Sequence, residues 1–281
     1  MSRPNNSSAI HWRSSVLVVA LSLAGICGCG LELYEKRLQA TTKLYEHFQT
    51  LKENLLEMWV HGPISLRVPL QFTEIPAPVA PPAASPTDPA AEPPPLPPDT
   101  RKPTQPPLEL LGLRAAFKAD LTVDGGGKQP GFIYVLSNYD LPREQKDIHG
   151  PLAQEISTAF HVNIEANSWK EETYPERPTD AFPGVSYKTL TVTPPADVEG
   201  PPRRVSIYLY TQGEVQIAIV FVLPQKIDGS EHLLDRIPLC LETLNVSADQ
   251  ISEPQKRPAD APAGATTDAP PAGAPAGKSG F

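Results

Sequence analysis

Cysteine is scarce in this chain: three in 281 residues, two of which, Cys27 and Cys29, fall within the first thirty. The third, Cys240, has no partner further along, which excludes an intrachain disulfide framework in the rest of the chain. In the run Ile-Pro-Leu-Cys-Leu-Glu-Thr-Leu (237–244) a lone thiol reads as a small core hydrophobe. A nucleophilic cysteine needs a base and exposure, and the adjacent sequence offers neither. Paired metal ligands are missing too. His11, His47, His61, His149, His161 and His232 include no i, i+4 pair and no His-Glu-x-x-His. Gly-x-Ser-x-Gly and Gly-x-Gly-x-x-Gly are absent, as is Cys-x-x-Cys beyond the first thirty residues. There is no basic run and no basic-aromatic stripe, and the net charge is −8. Nucleic-acid binding is therefore disfavoured, and so is charge attraction to anionic lipid. The expectation is a chain without catalysis, cofactor or metal.

Proline is abundant instead. Of 35 prolines, fourteen lie within 76–107 and six within 253–281. Both stretches are poor in large apolar residues and do not build a packed core. Residues 76–107 read as a Pro-rich disordered insertion of polyproline type, and residues 251–281 as a disordered Pro/Ala/Gly tail. What remains suffices for one ordinary domain and a helix.

Residues 1–29 read as a leader. Arg3 and Arg13 precede the apolar run 16–26, which at eleven residues is too short for a bilayer-spanning helix of about 20 and suits a secretory signal. Ile26, Gly28 and Cys29 then follow, and this segment resembles a bacterial lipoprotein signal, with Ile26 three residues before Cys29 and Gly28 immediately before it. Cys27 is unusual in the position between them. The resemblance implies export, lipidation of Cys29 and a membrane-anchored place in the cell envelope. An uncleaved signal anchor, or a signal peptide cut near Gly28 without lipid, are the alternatives.

Residues 31–59 contain neither Pro nor Gly. Leu44, Phe48, Leu51, Leu55 and Met58 follow helical spacing, as do Leu31, Tyr34, Leu38, Thr41 and Tyr45. The reading is an amphipathic helical stalk within 30–62, ended by His61-Gly62-Pro63. Its stripe is covered by its own domain, by a second copy through self-association of the 31–59 helix, or by another protein. Lys52 falls on the coiled-coil seam and argues against a strict coiled coil.

The remainder, 63–75 and 108–250, reads as a single α+β domain. Strands are expected at 64–72, 113–121, 132–136, 185–192, 204–210 and 215–223. The last two should be joined by a tight hairpin at 211–214, with 215–223, apolar on both faces, in a central position. Asp124-Gly-Gly-Gly127 is read as a turn, since no helix with Lys-Ser/Thr follows it. Short helices are expected from Leu152 to Phe160 and across Leu233, Ile237, Leu241 and Leu244. Asp228 and Glu231 have capping-box spacing before the second of these helices. Asp140, Arg143, Glu144, Lys146, Asp147 and His149 form a charged loop, either solvated or a binding rim. Trp169, beside Glu171 and Glu172, either covers the sheet or marks a recognition surface. The fold class is thus α+β: an antiparallel sheet with packed helices, preceded by a long amphipathic helix.

The opening Ile-Ser-Leu-Arg-Val-Pro (64–69), the strand Ile-Ala-Ile-Val-Phe-Val-Leu (217–223) and the closing 237–246 resemble the PsbP-like superfamily, named for an extrinsic protein of the photosynthetic oxygen-evolving complex. The resemblance covers 64–75 and 108–247 and implies an assembly or binding role with no shared catalytic motif. The Pro-rich insertion and residues 161–184 depart from it. The expected function is a membrane-tethered, non-catalytic interaction or structural module of the cell envelope with an unidentified protein partner. The alternative is a carrier that holds a small ligand between sheet and helix.

Overall fold

The computed structural model describes residues 32–79, 98–103, 106–165, 168–179, 182–195 and 201–247. The leader with Cys29, most of the Pro-rich insertion and the tail lie outside the described residues.

Residues 32–54 form a helix, α1. The hydroxyls of Thr41, Thr42 and Thr50 donate to carbonyls one turn back, so these polar side chains are satisfied within the helix. Along the first turns Leu33, Tyr34, Leu38 and Tyr45 face outwards, more than half exposed. Only at Leu51 does α1 enter the core. The helix stops short of the expected 59. Leu55–His61 is instead a strand, β1, which pairs antiparallel with β2, Ile64–Pro69. The hairpin turns at Gly62, whose φ of 55° suits glycine.

Described strands β3 (Thr73–Ile75), β4 (Leu113–Thr122), β5 (Lys128–Ser137), β6 (Lys170–Tyr174), β7 (Val185–Val192), β8 (Arg203–Gln212) and β9 (Val215–Pro224) make one antiparallel sheet of order β3-β4-β5-β9-β8-β7-β6. β10, Asn245–Val246, joins β2 and β1 in a second, three-stranded sheet. The fold is mixed α+β and dominated by antiparallel sheet. β9 holds the middle place, as its two apolar faces require: Ile217, Ile219 and Phe221 enter one core, and Ala218, Val220 and Val222 the other.

The two cores lie on opposite faces of the large sheet. In one, β2 (Ile64, Leu66, Val68) and helix α3, Leu233–Glu242 (Leu233, Ile237, Cys240, Leu241), pack on Phe117, Ile133, Ile219 and Phe221. In the other, helix α2, His149–Phe160, lays Leu152, Ile156 and Phe160 on Tyr134, Leu136, Ile207 and Val220.

Two local expectations are corrected. Asp228 and Glu231 do not form a capping box for α3. Asp228 accepts from Ser230 N at 2.8 Å, and the Glu231 carboxylate turns to β4, accepting from Thr122 N at 3.0 Å. The Pro-rich insertion also ends before 107. Residues 98–103 fold onto the sheet, where Arg101 holds the Asp99 carboxylate (Nη2–Oδ2 2.7 Å) and donates to the Arg114 carbonyl at 3.1 Å.

Candidate binding cleft

A cleft of about 460 Å³ opens where the end of α1 meets the exit of α3. Each wall follows from the local fold. The last turns of α1 contribute His47, Phe48 and Leu51. The chain leaving α3 adds Glu242 to Val246 on its way into β10. The outer face of the small sheet presents Met58 and Arg67. The loop before β7 closes the cleft with Phe182, Pro183 and Gly184, and Tyr210 and Gln212 stand at the end of β8. Gly184 is required there, because a Cβ would lie 2.4 Å from Thr173 Cγ2 on neighbouring β6. Thr243 locks the exit of α3: its Oγ1 accepts from Arg67 N at 2.9 Å and donates to the Cys240 carbonyl at 2.7 Å.

The electrostatic centre is Glu242. Its side chain is 7% exposed, against 22% for His47, whose Nε2 lies 3.1 Å from Glu242 Oε1. The contact lacks hydrogen-bond geometry, and Oε1 is a buried acceptor without a hydrogen-bond donor. Burial pushes the Glu242 carboxyl up to about 7 and the His47 imidazole below its ordinary value. Burial thus disfavours the charged form of both groups. Around them stand aromatic rings. Phe182 lies 4.0 Å from the His47 ring centroid and 6.3 Å, edge-on, from that of Phe48. The cleft is thus mostly apolar with a few polar groups, the usual composition of a small-molecule site.

No protein family matches the chain. No curated protein does either. Among solved structures, a crystal structure from Bacteroides thetaiotaomicron VPI-5482 aligns with 67% of the chain at a TM-score of 0.31 and 9% identity. The match spans 47% of that structure's own length. A likeness this faint carries no argument about fold or role.

Cys29, the candidate lipidation site, lies outside the described residues. Cys240 is fully buried in the first core and its thiol is pushed up by that burial, as suits a core residue. The charged loop is tied down within the fold. Asp140 pairs with Arg114, Lys146 Nζ lies 2.6 Å from Glu214, and Asp147 accepts from His149 N at 3.1 Å. Beneath it, buried Asn138 donates to the carbonyls of Lys146 and Glu214 and accepts from Gln216 N at 2.8 Å. Trp169 packs on the second core, edge-on to His149 at 4.5 Å. Among the described residues no cluster of three metal-ligating side chains occurs, and no helix is long and apolar enough to cross a membrane.

Sequence reasoning did not bring His47 and Glu242 together. Each stood alone in its own segment, one between Glu46 and Phe48 on a helix and the other after Leu-Cys-Leu. The available signal was a single carboxylate within the apolar run 237–244.

Proposed function

We propose that the protein is a membrane-tethered, non-catalytic binding module of the cell envelope, and that the cleft beneath α1 is its binding site. The tether is lipid on Cys29 or an uncleaved signal anchor. The observation that carries the binding role is the buried, donor-less Glu242 carboxylate facing an aromatic-lined cleft, an arrangement that costs stability unless something occupies it. The likeness of 64–75 and 108–247 to PsbP-like domains, with their binding and assembly roles, supports the same reading. The alternative to a protein partner is a small-ligand carrier, and the position of the cleft between helix and sheet supports it.

Two measurements test it. Intact mass of the protein purified from native membranes should show acyl chains on a mature N-terminal Cys29, or an uncleaved leader; a soluble form trimmed beyond Cys29 refutes the tether. Titration of the full chain with the neutral probe 2-phenylethanol should shift NMR signals of Phe48 and Phe182. A cleft untouched by small aromatic probes of any charge refutes the binding site.

A second reading, self-association through α1, is supported by the outward stripe of Leu33, Tyr34, Leu38 and Tyr45. Sedimentation equilibrium should then show a dimer that Leu38→Glu with Tyr45→Glu dissociates. A monomer at every accessible concentration removes this reading.

A further inference from the structure

We infer that the cleft selects an organic ammonium ion: a primary amine carried on an apolar, aromatic-sized body. The inference rests on the binding-cleft reading and names the chemistry of its occupant.

Three observations converge. First, Glu242 is more than nine-tenths buried, lines the cleft and has an oxygen with no donor. What that oxygen lacks is a hydrogen-bond donor, and an ammonium brings three together with a compensating charge. Secondly, the nearest basic group does not serve as its counter-ion. The contact of His47 with Oε1 lacks hydrogen-bond geometry, and burial disfavours the charged form of its imidazole. Thirdly, Phe48, Phe182 and Tyr210 line the same space. Aromatic faces attract cations, most strongly where water is excluded, and the same rings accept an apolar body.

The groups facing Glu242 are few. His47 of α1 lies against it, and Arg67 of β2 and Tyr210 of β8 line the same cleft. Tyr187, on β7, gives its hydroxyl to the Leu241 carbonyl. Arg67 opposes a cation, but it is only half-buried and its charge is screened by water and salt. The Glu242 charge, once the carboxyl is ionised, lies within the fold and is screened less than that of Arg67. The ligand's charge is therefore set by the buried acid rather than by the arginine.

The test uses three probes of nearly one shape on the full chain: 2-phenylethylamine, 2-phenylethanol and 3-phenylpropionate, followed by calorimetry and NMR. The amine should bind at least ten-fold tighter than the alcohol and tighter still than the carboxylate. Its affinity should rise about ten-fold from pH 6 to pH 8, since the amine stays protonated while a carboxyl with a pKa near 7 ionises. Glu242→Gln should abolish that pH dependence and equalise amine and alcohol, while Phe182→Ala should weaken all three. Preference for the carboxylate would assign control to Arg67 and overturn the inference while leaving the cleft a binding site. Equal binding of amine and alcohol by the wild type, or amine binding unchanged in Glu242→Gln, would also overturn it. If none of the three probes moves a cleft signal, the binding-cleft reading falls as well.

Discussion

Tyr187 on β7 donates its hydroxyl to the main-chain carbonyl of Leu241, 2.6 Å away in the last turn of α3. The bond crosses the first core and fixes the end of α3 over the sheet, which in turn sets where Glu242 emerges into the cleft. Removing only the oxygen, in Tyr187→Phe, should cost about 1 kcal/mol, because the carbonyl keeps a second donor in Leu244 N at 3.3 Å. Calorimetry should show the melting temperature lower by about 2–4 °C. An unchanged melting temperature would mean that the hydroxyl contributes nothing to holding α3.

Ile219 sits at the centre of β9 with no exposed surface, whereas Leu33 on α1 is half exposed. Ile219→Ala should destabilise by about 2–5 kcal/mol through lost burial and a residual cavity. Leu33→Ala should change stability by no more than about 0.5 kcal/mol. Urea titration of the two variants checks the contrast, and equal effects would contradict the assignment of α1's first turns to solvent.

Asn138 is buried and serves three main-chain groups from two different segments, Lys146 and the Glu214–Gln216 stretch. Asn138→Ala removes these three hydrogen bonds and should cost about 2–4 kcal/mol. Amide exchange should report faster exchange at Gln216 N–H before any global effect. Protection equal to that of the wild type would show that water replaces the side chain without loss.

Stability should depend on pH through Glu242 in a definite sense. Its carboxyl is raised by burial from an ordinary value of 4.5 to about 7, so between those values the folded state binds more protons than the unfolded state. Stability from this group is fully present below about 4.5 and is lost as pH rises through about 7. His47, depressed by burial, acts in the opposite sense below its ordinary 6.5. The difference between wild type and Glu242→Gln isolates the acid. That difference should move against the wild type from pH 4.5 to 7 and level off above. A constant difference, measured by urea unfolding across that range, would show that the carboxyl is not perturbed.

The sheet was largely legible because its strands carry period-two or doubly apolar patterns. β9 declares its central place through Ile217 to Val222, and β8 and β9 announce their hairpin through the intervening Gly213. β1 was not legible, for a specific reason. Leu51, Leu55 and Met58 satisfy helical spacing, and a register shift between Leu55 and Met58 breaks the alternation that would betray a strand. Its pairing with β2 overrides the local helical preference. The short edge strands β3 and β6 (Thr-Glu-Ile and Lys-Glu-Glu-Thr-Tyr) are too polar to signal themselves. The cleft was invisible for a different reason: His47 and Glu242 come from opposite ends of the described chain, and only the docking of α1 beside α3 makes them neighbours.

The strand order has a kinetic consequence. β4–β5 on one side and β6-β7-β8-β9 on the other are each antiparallel runs of strands consecutive in sequence, and the β5–β9 pair alone stitches them into one sheet. That seam pairs residues as distant in the chain as Phe132 and Val222, and even at its near end Asn138 and Gln216 are 78 positions apart. Its closure bears the loop entropy that the local hairpins avoid, which makes it the slow step in assembling the large sheet. Val135→Ala, within the seam, should therefore slow refolding in stopped-flow measurements, whereas Thr189→Ala, in the β6–β7 pair, should mainly hasten unfolding.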